Sequence, residues 1–200
     1  MEVFDQLAEK YQGEHSHNPF QAALTERISD LLPAGSSVLD LGCGTGVPTA
    51  KTLTDSGHRV VGVDISAGML TAARSQVPAA EFVQGDFAEL PADFGSFQAV
   101  TAFFSLLMLS KARIETTLRK VAGWLTPGGY VAIGMVNFDA DSVPVEFLGM
   151  PVRVSGYPQP DLTALLERTG FTVLSIETVD FTPAGGPPES QIFALAQLPG

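Results

Sequence analysis

The sequence predicts an α/β fold in which helices cover both faces of a mostly parallel sheet, and the sheet ends in an antiparallel hairpin. Three observations predict it. From Ser37 onward, short strand patterns rich in valine and isoleucine alternate with stretches of helical spacing. A glycine-rich turn, Gly42-Cys43-Gly44-Thr45-Gly46, follows the first strand pattern. The last two strand patterns are joined by Thr182 to Pro188, a connection too short for a crossover helix.

Taken in order, Phe4, Leu7, Ala8 and Tyr11 have helical spacing, and Asn18 to Leu32 repeats apolar positions through Phe20, Leu24, Ile28, Leu31 and Leu32. Two helices should therefore precede the first strand, which is 37–41. A helix at 47–56 is closed by Gly57-His58 before strand 59–63, and Ser66 caps a helix at 66–76. Strands at 80–84 and 97–103, a helix at 111–124 and a strand at 129–135 follow. A final helix at 160–169, stopped by Gly170, leads into strands 171–179 and 191–196. The 200 residues read as one domain, without repeats or a linker between separately folding pieces.

Charge and composition narrow the function. The chain holds 11 Lys+Arg against 22 Asp+Glu, a formal net charge of −11, so nucleic acid and anionic membrane would both meet mostly repulsion. Cys43 is the sole cysteine, which excludes an internal disulfide and a thiolate metal cluster within one chain, and no metal is expected. The N-terminus has no signal-peptide pattern and no run reaches the apolar length of a membrane span. The expectation is a cytoplasmic protein, monomer or homodimer, acting on a small molecule.

The glycine turn carries the chemistry. Glycines at alternate positions let the backbone turn sharply and approach a ligand, and Asp64 at the end of the second strand is placed to accept from two adjacent ribose hydroxyls. A phosphate-cradling NTPase loop needs lysine and then serine or threonine after the glycines, where this chain has Val47-Pro48-Thr49. A dinucleotide site wants a small residue at the position of Val47, and Pro48 removes a donor from the helix start. A nucleoside ligand without phosphates fits better. After the third strand, Asp86 offers a carboxylate at the sheet's carboxyl edge, or caps the turn that follows, and Phe87 can lie against a planar base.

The run Val38-Leu39-Asp40-Leu41-Gly42-Cys43-Gly44-Thr45-Gly46 resembles the first motif of class I S-adenosylmethionine-dependent methyltransferases. The resemblance continues through Asp64-Ile65-Ser66 with Met69-Leu70, Gly85-Asp86-Phe87, Phe97-Gln98-Ala99-Val100 and Leu125-Thr126-Pro127-Gly128-Gly129, covering about Phe4 to Met135. It implies a Rossmann-like seven-stranded sheet and S-adenosyl-L-methionine as cofactor. It also implies contacts to the cofactor's methionine end from Asp40, Gly42, Cys43, Gly44 and Gly46, and ribose and adenine contacts from Asp64, Ile65, Met69, Gly85, Asp86 and Phe87, with Phe103 beside them.

The same resemblance places residues touching both cofactor and acceptor in Thr101 to Leu109, which is almost wholly apolar here. Phe104, Leu107 and Met108, with Phe138 and Phe147 from a 137–158 insertion on the substrate side, are the expected acceptor-binding residues. Residues 1–34 are expected to form an N-terminal helical cover. Its Tyr11 resembles a tyrosine that closes over the cofactor and touches the acceptor, and His15 and His17 are the candidate bases.

The function expected is methyl transfer to O, N or C of a small apolar or aromatic metabolite. The alternatives are a related enzyme catalysing a reaction such as cyclisation, a non-catalytic cofactor-binding protein and, more distantly, a nicotinamide oxidoreductase.

Overall fold

A computed structural model of the chain describes residues 18–147, 149–183 and 188–200. The described elements run α1 (Pro19–Leu31), β1 (Ser37–Leu41), α2 (Thr49–Asp55), β2 (Arg59–Asp64), α3 (Ala67–Gln76), β3 (Glu81–Gln84), β4 (Phe97–Phe103), α4 (Lys111–Trp124), β5 (Leu125–Val136), β6 (Ala140–Phe147), β7 (Met150–Gly156), α5 (Gln159–Arg168), β8 (Thr172–Phe181) and β9 (Glu189–Gln197). Short 3-10 turns at Phe87–Glu89 and Leu106–Met108 follow β3 and β4.

Seven strands form one sheet in the order β3-β2-β1-β4-β5-β9-β8. The first five are mutually parallel, while β9 is antiparallel to both β5 and β8. The parallel strands are mostly apolar on both faces because both are covered: β1 is buried from Val38 to Leu41 and β4 from Ala99 to Phe103, and the polar residues Asp40 and Thr101 within them are paired with each other. Two apolar clusters result. Leu39, Leu41, Val100 and Ile133 pack with Ile114, Leu118 and Trp124 of α4 and Leu162 and Leu166 of α5. On the opposite face, Val38, Phe103 and Phe193 pack with Leu24 and Ile28 of α1 and Leu53 of α2.

The expected alternation of elements is present, with differences at particular boundaries. The helix expected at 47–56 begins at Thr49, because Val47 and Pro48 complete the turn. The strand expected at 129–135 begins at Leu125, directly after α4, where Leu125 pairs with Phe97 across a bulge. The 137–158 insertion is itself ordered: β6 and β7 pair as a separate antiparallel sheet with Val143 opposite Val154 and Val145 opposite Val152. Those four valines pack on the α4 and α5 side of the core, while Pro144, Glu146, Pro151 and Arg153 alternate outward. Among the described residues, no helix is long and apolar enough to cross a membrane.

Candidate cofactor and acceptor site

The strand order reverses between β1 and β4, so their carboxyl ends open a crevice where open parallel sheets hold ligands. The turn after β1 enters it. Gly42, Gly44 and Gly46 have φ of 68°, 53° and 79°, the left-handed region that glycine reaches without a Cβ penalty. Each has a different reason to lack a side chain. A Cβ on Gly42 would lie 2.3 Å from Ser105 Cβ, and one on Gly46 would press on Val77 and Phe82. A Cβ on Gly44 would meet nothing within 4 Å, so this glycine leaves open space facing the cleft.

Hydrogen bonds hold the turn against β2. The Gly42 and Cys43 amides donate to Val63 O at 2.7 and 3.1 Å, and the Gly46 amide donates to Cys43 O. Asp64 receives the Gly44 amide on Oδ2 and the Ser66 amide on Oδ1, each at 2.9 Å. The carboxylate is thereby oriented at the strand end while half-buried, and its remaining lone pairs can take further donors.

Asp40 is the charged group deepest in the cleft. It is 3 % exposed and accepts from Thr101 Oγ1 at 2.7 Å. Burial raises its pKa to about 7 despite that hydrogen bond, with the negative charge of Asp64 adding to the rise. Burial likewise pushes the Cys43 thiol up, beside Asp40 and Asp64, so Cys43 is a small buried residue of the turn and not a nucleophile. The folded protein binds the Asp40 proton more tightly than the unfolded chain, whose carboxyl titrates near 3.8. Its contribution to stability is therefore full below that value and lost as pH rises through about 7. Urea unfolding between pH 4.5 and 8 is expected to show this decline in the native protein, and Asp40→Asn is expected to flatten it; an unchanged slope in the variant would remove Asp40 as its source.

The cleft is lined by Gln21, Asp40, Gly42, Cys43, Gly44, Val47, Thr49 and Phe103. Sequence reasoning named five of these and missed Gln21, Val47 and Thr49. Gln21 Nε2 donates to Thr49 Oγ1 at 3.0 Å, which joins α1 to the start of α2. Nothing in local spacing marks Gln21, because it sits in an amphipathic helix before the first strand; Thr49, just past the glycine turn, could have been found from its position.

Of the residues expected to meet the ribose and adenine, Ile65 is 38 % exposed just beyond Asp64, and the Gly85 amide donates to Asp64 O, tying the ends of β2 and β3 together. Asp86 caps the turn after β3 through Ala88 N at 2.9 Å and also pairs with Arg113 of α4 at 3.1 Å. Arg113 reaches Glu89 at 2.7 Å as well, and both carboxylates raise its pKa. Asp86 thus has the capping role that its sequence allowed, and keeps lone-pair capacity for an amino group. Phe87 is partly buried, whereas the Met69 side chain lies in the core at 3 % exposure, and its amide donates to the Ser66 cap.

The residues expected to bind the acceptor divide. Phe103 reaches the cleft, and Phe104 stands edge-on to Phe193 at 5.7 Å. Phe104 has φ of 54°, an uncommon conformation for a bulky residue, and its amide donates to Gly134 O at 2.9 Å. Leu107 is 6 % exposed in the core, and Met108 is partly buried at its edge. Phe138 is 40 % exposed after β5, and Phe147 ends β6 with intermediate exposure. Tyr11, His15 and His17 lie outside the described residues.

The donor set fits S-adenosylmethionine. Open space over Gly44 admits a ligand against the backbone, Asp64 suits vicinal hydroxyls, and Asp40 suits a cation. The turn's Gly42, Cys43, Gly44 and Gly46 amides are all committed internally, so these four are not donors for a phosphate.

Comparison with known proteins agrees. Residues 38–129 match the family described as Methyltransferase domain. The chain is 34% identical over 146 residues to an uncharacterised methyltransferase of Synechocystis sp., covering 70% of this chain and 68% of that one. It is 31% identical over 178 residues to an O-methyltransferase of Aspergillus nomiae, covering 82% and 76%. Among solved structures, the N-methyltransferase NodS of Bradyrhizobium japonicum, in complex with S-adenosylhomocysteine, shares the fold at a TM-score of 0.74 and 17% identity over 98% of this chain and 99% of that one. The chain belongs to the S-adenosylmethionine-dependent methyltransferases, with S-adenosylmethionine as its cofactor.

Proposed function

We propose that this methyltransferase acts on O, N or C of a small apolar or aromatic metabolite. The observation that supports the reading is the chemistry at the carboxyl end of β4, where Phe103 lines the cleft, Phe193 packs against both Phe103 and Phe104, and no charged side chain occurs from Thr101 to Leu109. A small aromatic acceptor would find ring surfaces there.

When bound, the cofactor supplies a methyl group on a sulfonium, whose charge disappears as the methyl leaves. The protein's part is alignment: an acceptor atom held in line with the methyl gains much of the rate without acid or base chemistry. Thr101 and Ser105, the polar side chains at the end of β4, are engaged with Asp40 Oδ1 and Leu41 O, so they position the strand end and do not act as bases. An acceptor that must lose a proton would pass it to His15 or His17, the candidate bases, with Tyr11 as the further catalytic candidate.

The test is to incubate the protein with S-adenosylmethionine and a panel of phenols, aromatic amines and indoles, and to quantify S-adenosylhomocysteine together with methylated product. Equimolar formation of both is expected for at least one aromatic acceptor. Product without S-adenosylhomocysteine would favour a derived reaction such as cyclisation, and acceptance restricted to charged aliphatic compounds would overturn the aromatic reading.

A further inference from the structure

The cofactor's amino-acid end carries a carboxylate as well as an ammonium, and among the described residues lining the cleft there is no lysine or arginine. Asp40 is the ionisable carboxyl among the described lining residues, and as a carboxylate it attracts the ammonium and repels the carboxylate. The Gly42, Cys43 and Gly44 amides are already engaged, donating to Val63 O and to Asp64. Val47 and Phe103 are apolar, and the Cys43 thiol is turned to Gly44 O.

Neutral side-chain donors remain. Thr49 is 4 % exposed and its hydroxyl oxygen accepts from Gln21 Nε2, which leaves its own O–H to point elsewhere. Gln21 uses one Nε2 proton in that bond and retains the second. Both sit on fixed elements. Asn18 caps α1 through its Oδ1 and anchors the helix to β9 by donating to Gln191 Oε1 at 2.7 Å. Farther along α1, Ser29 Oγ meets His58 Nε2 at 3.0 Å.

We propose that Gln21 and Thr49 are cofactor-binding residues that together hold the carboxylate of S-adenosylmethionine, with Asp40 taking the ammonium. The assignment rests on the cofactor's identity and adds a role for α1: the helix is part of the cofactor site and not only a cover over it. A carboxylate held by neutral donors in a buried cleft accepts charge-assisted hydrogen bonds without the desolvation cost of a buried cation.

The experiment compares two ligands by calorimetric titration. S-adenosylhomocysteine carries the amino-acid end, and 5′-deoxy-5′-methylthioadenosine lacks it. Gln21→Glu places a second negative charge beside the carboxylate, and Thr49→Val removes the hydroxyl at constant shape. Each is expected to weaken S-adenosylhomocysteine about tenfold or more while changing methylthioadenosine by less than about threefold. Thr49→Ser, which restores the hydroxyl, is expected to recover most of the loss.

Equal losses for both ligands would overturn the proposal and leave the pair a purely structural link between α1 and α2. Unchanged S-adenosylhomocysteine binding in both variants would also overturn it. Failure of the native protein to bind either ligand would instead strike at the cofactor assignment beneath it, so the two failures are distinguishable.

Discussion

Replacing Gly42 with alanine is expected to abolish S-adenosylhomocysteine binding and to lower the unfolding free energy by roughly 2–5 kcal/mol. Two costs coincide at this position. The backbone stands at φ 68°, where an L side chain is strained, and the new Cβ would fall 2.3 Å from Ser105 Cβ. Ser105 cannot simply rotate away, because the clash is with its Cβ and its hydroxyl donates to Leu41 O at 2.6 Å. The turn must therefore move, and with it the Gly44 amide that orients Asp64. Gly44→Ala supplies the contrast. It pays only the conformational strain, about 1–2 kcal/mol, since nothing lies within 4 Å of its Cβ. It should fold, yet lose binding because the methyl group occupies the open side of the turn. Urea unfolding and ligand titration on both variants check the pair; native-like stability in Gly42→Ala would show that the turn tolerates a side chain against β4.

The second large effect is at Asp64. Asp64→Ala is expected to weaken S-adenosylhomocysteine by about a hundredfold or more, as befits the loss of hydrogen bonds from two hydroxyls to a charged acceptor. Part of that loss is indirect, because the same carboxylate receives the Gly44 and Ser66 amides. Asp64→Asn separates the contributions: it keeps the shape and one acceptor oxygen but has no negative charge, and its amide cannot accept from both backbone groups. An intermediate loss is expected. Methylthioadenosine, which retains the ribose, should lose as much affinity as S-adenosylhomocysteine in both variants, the opposite of the pattern at Gln21. Binding that survives Asp64→Ala, measured by calorimetry on protein with native far-ultraviolet circular dichroism, would place the ribose elsewhere.

Much of the fold is legible in local pattern because its determinants are local. The alternation of strand and helical periods from Ser37 onward, the glycine turn and the short 182–188 connection each act through a few neighbouring residues, so a parallel sheet with an antiparallel end follows from the chain alone. The structure supplies what those patterns lacked. The 137–158 segment reads as a short apolar insertion, yet its valines align across β6 and β7 only once pairing brings Val143 to Val154 and Val145 to Val152.

In the candidate site, the glycine turn and its acidic neighbour were legible from the chain: the spacing from Gly44 to Asp64 spans one strand–helix–strand step, and the folded protein adds the hydrogen bond from the Gly44 amide to Asp64. Only the tertiary structure decided how Asp40, Asp86 and Gln21 are used. Thr101 reaches Asp40 across the β1–β4 pair, Arg113 reaches Asp86 from α4, and Gln21 reaches Thr49 from α1, contacts separated by 61, 27 and 28 residues. Leu107, an acceptor candidate by position, belongs to the core for the same kind of reason, since the residues that bury it come from distant segments. Strand order and glycine turns arise from forces that act within a few residues; burial, charge and hydrogen-bond partnership arise from neighbours that meet only when the chain has folded.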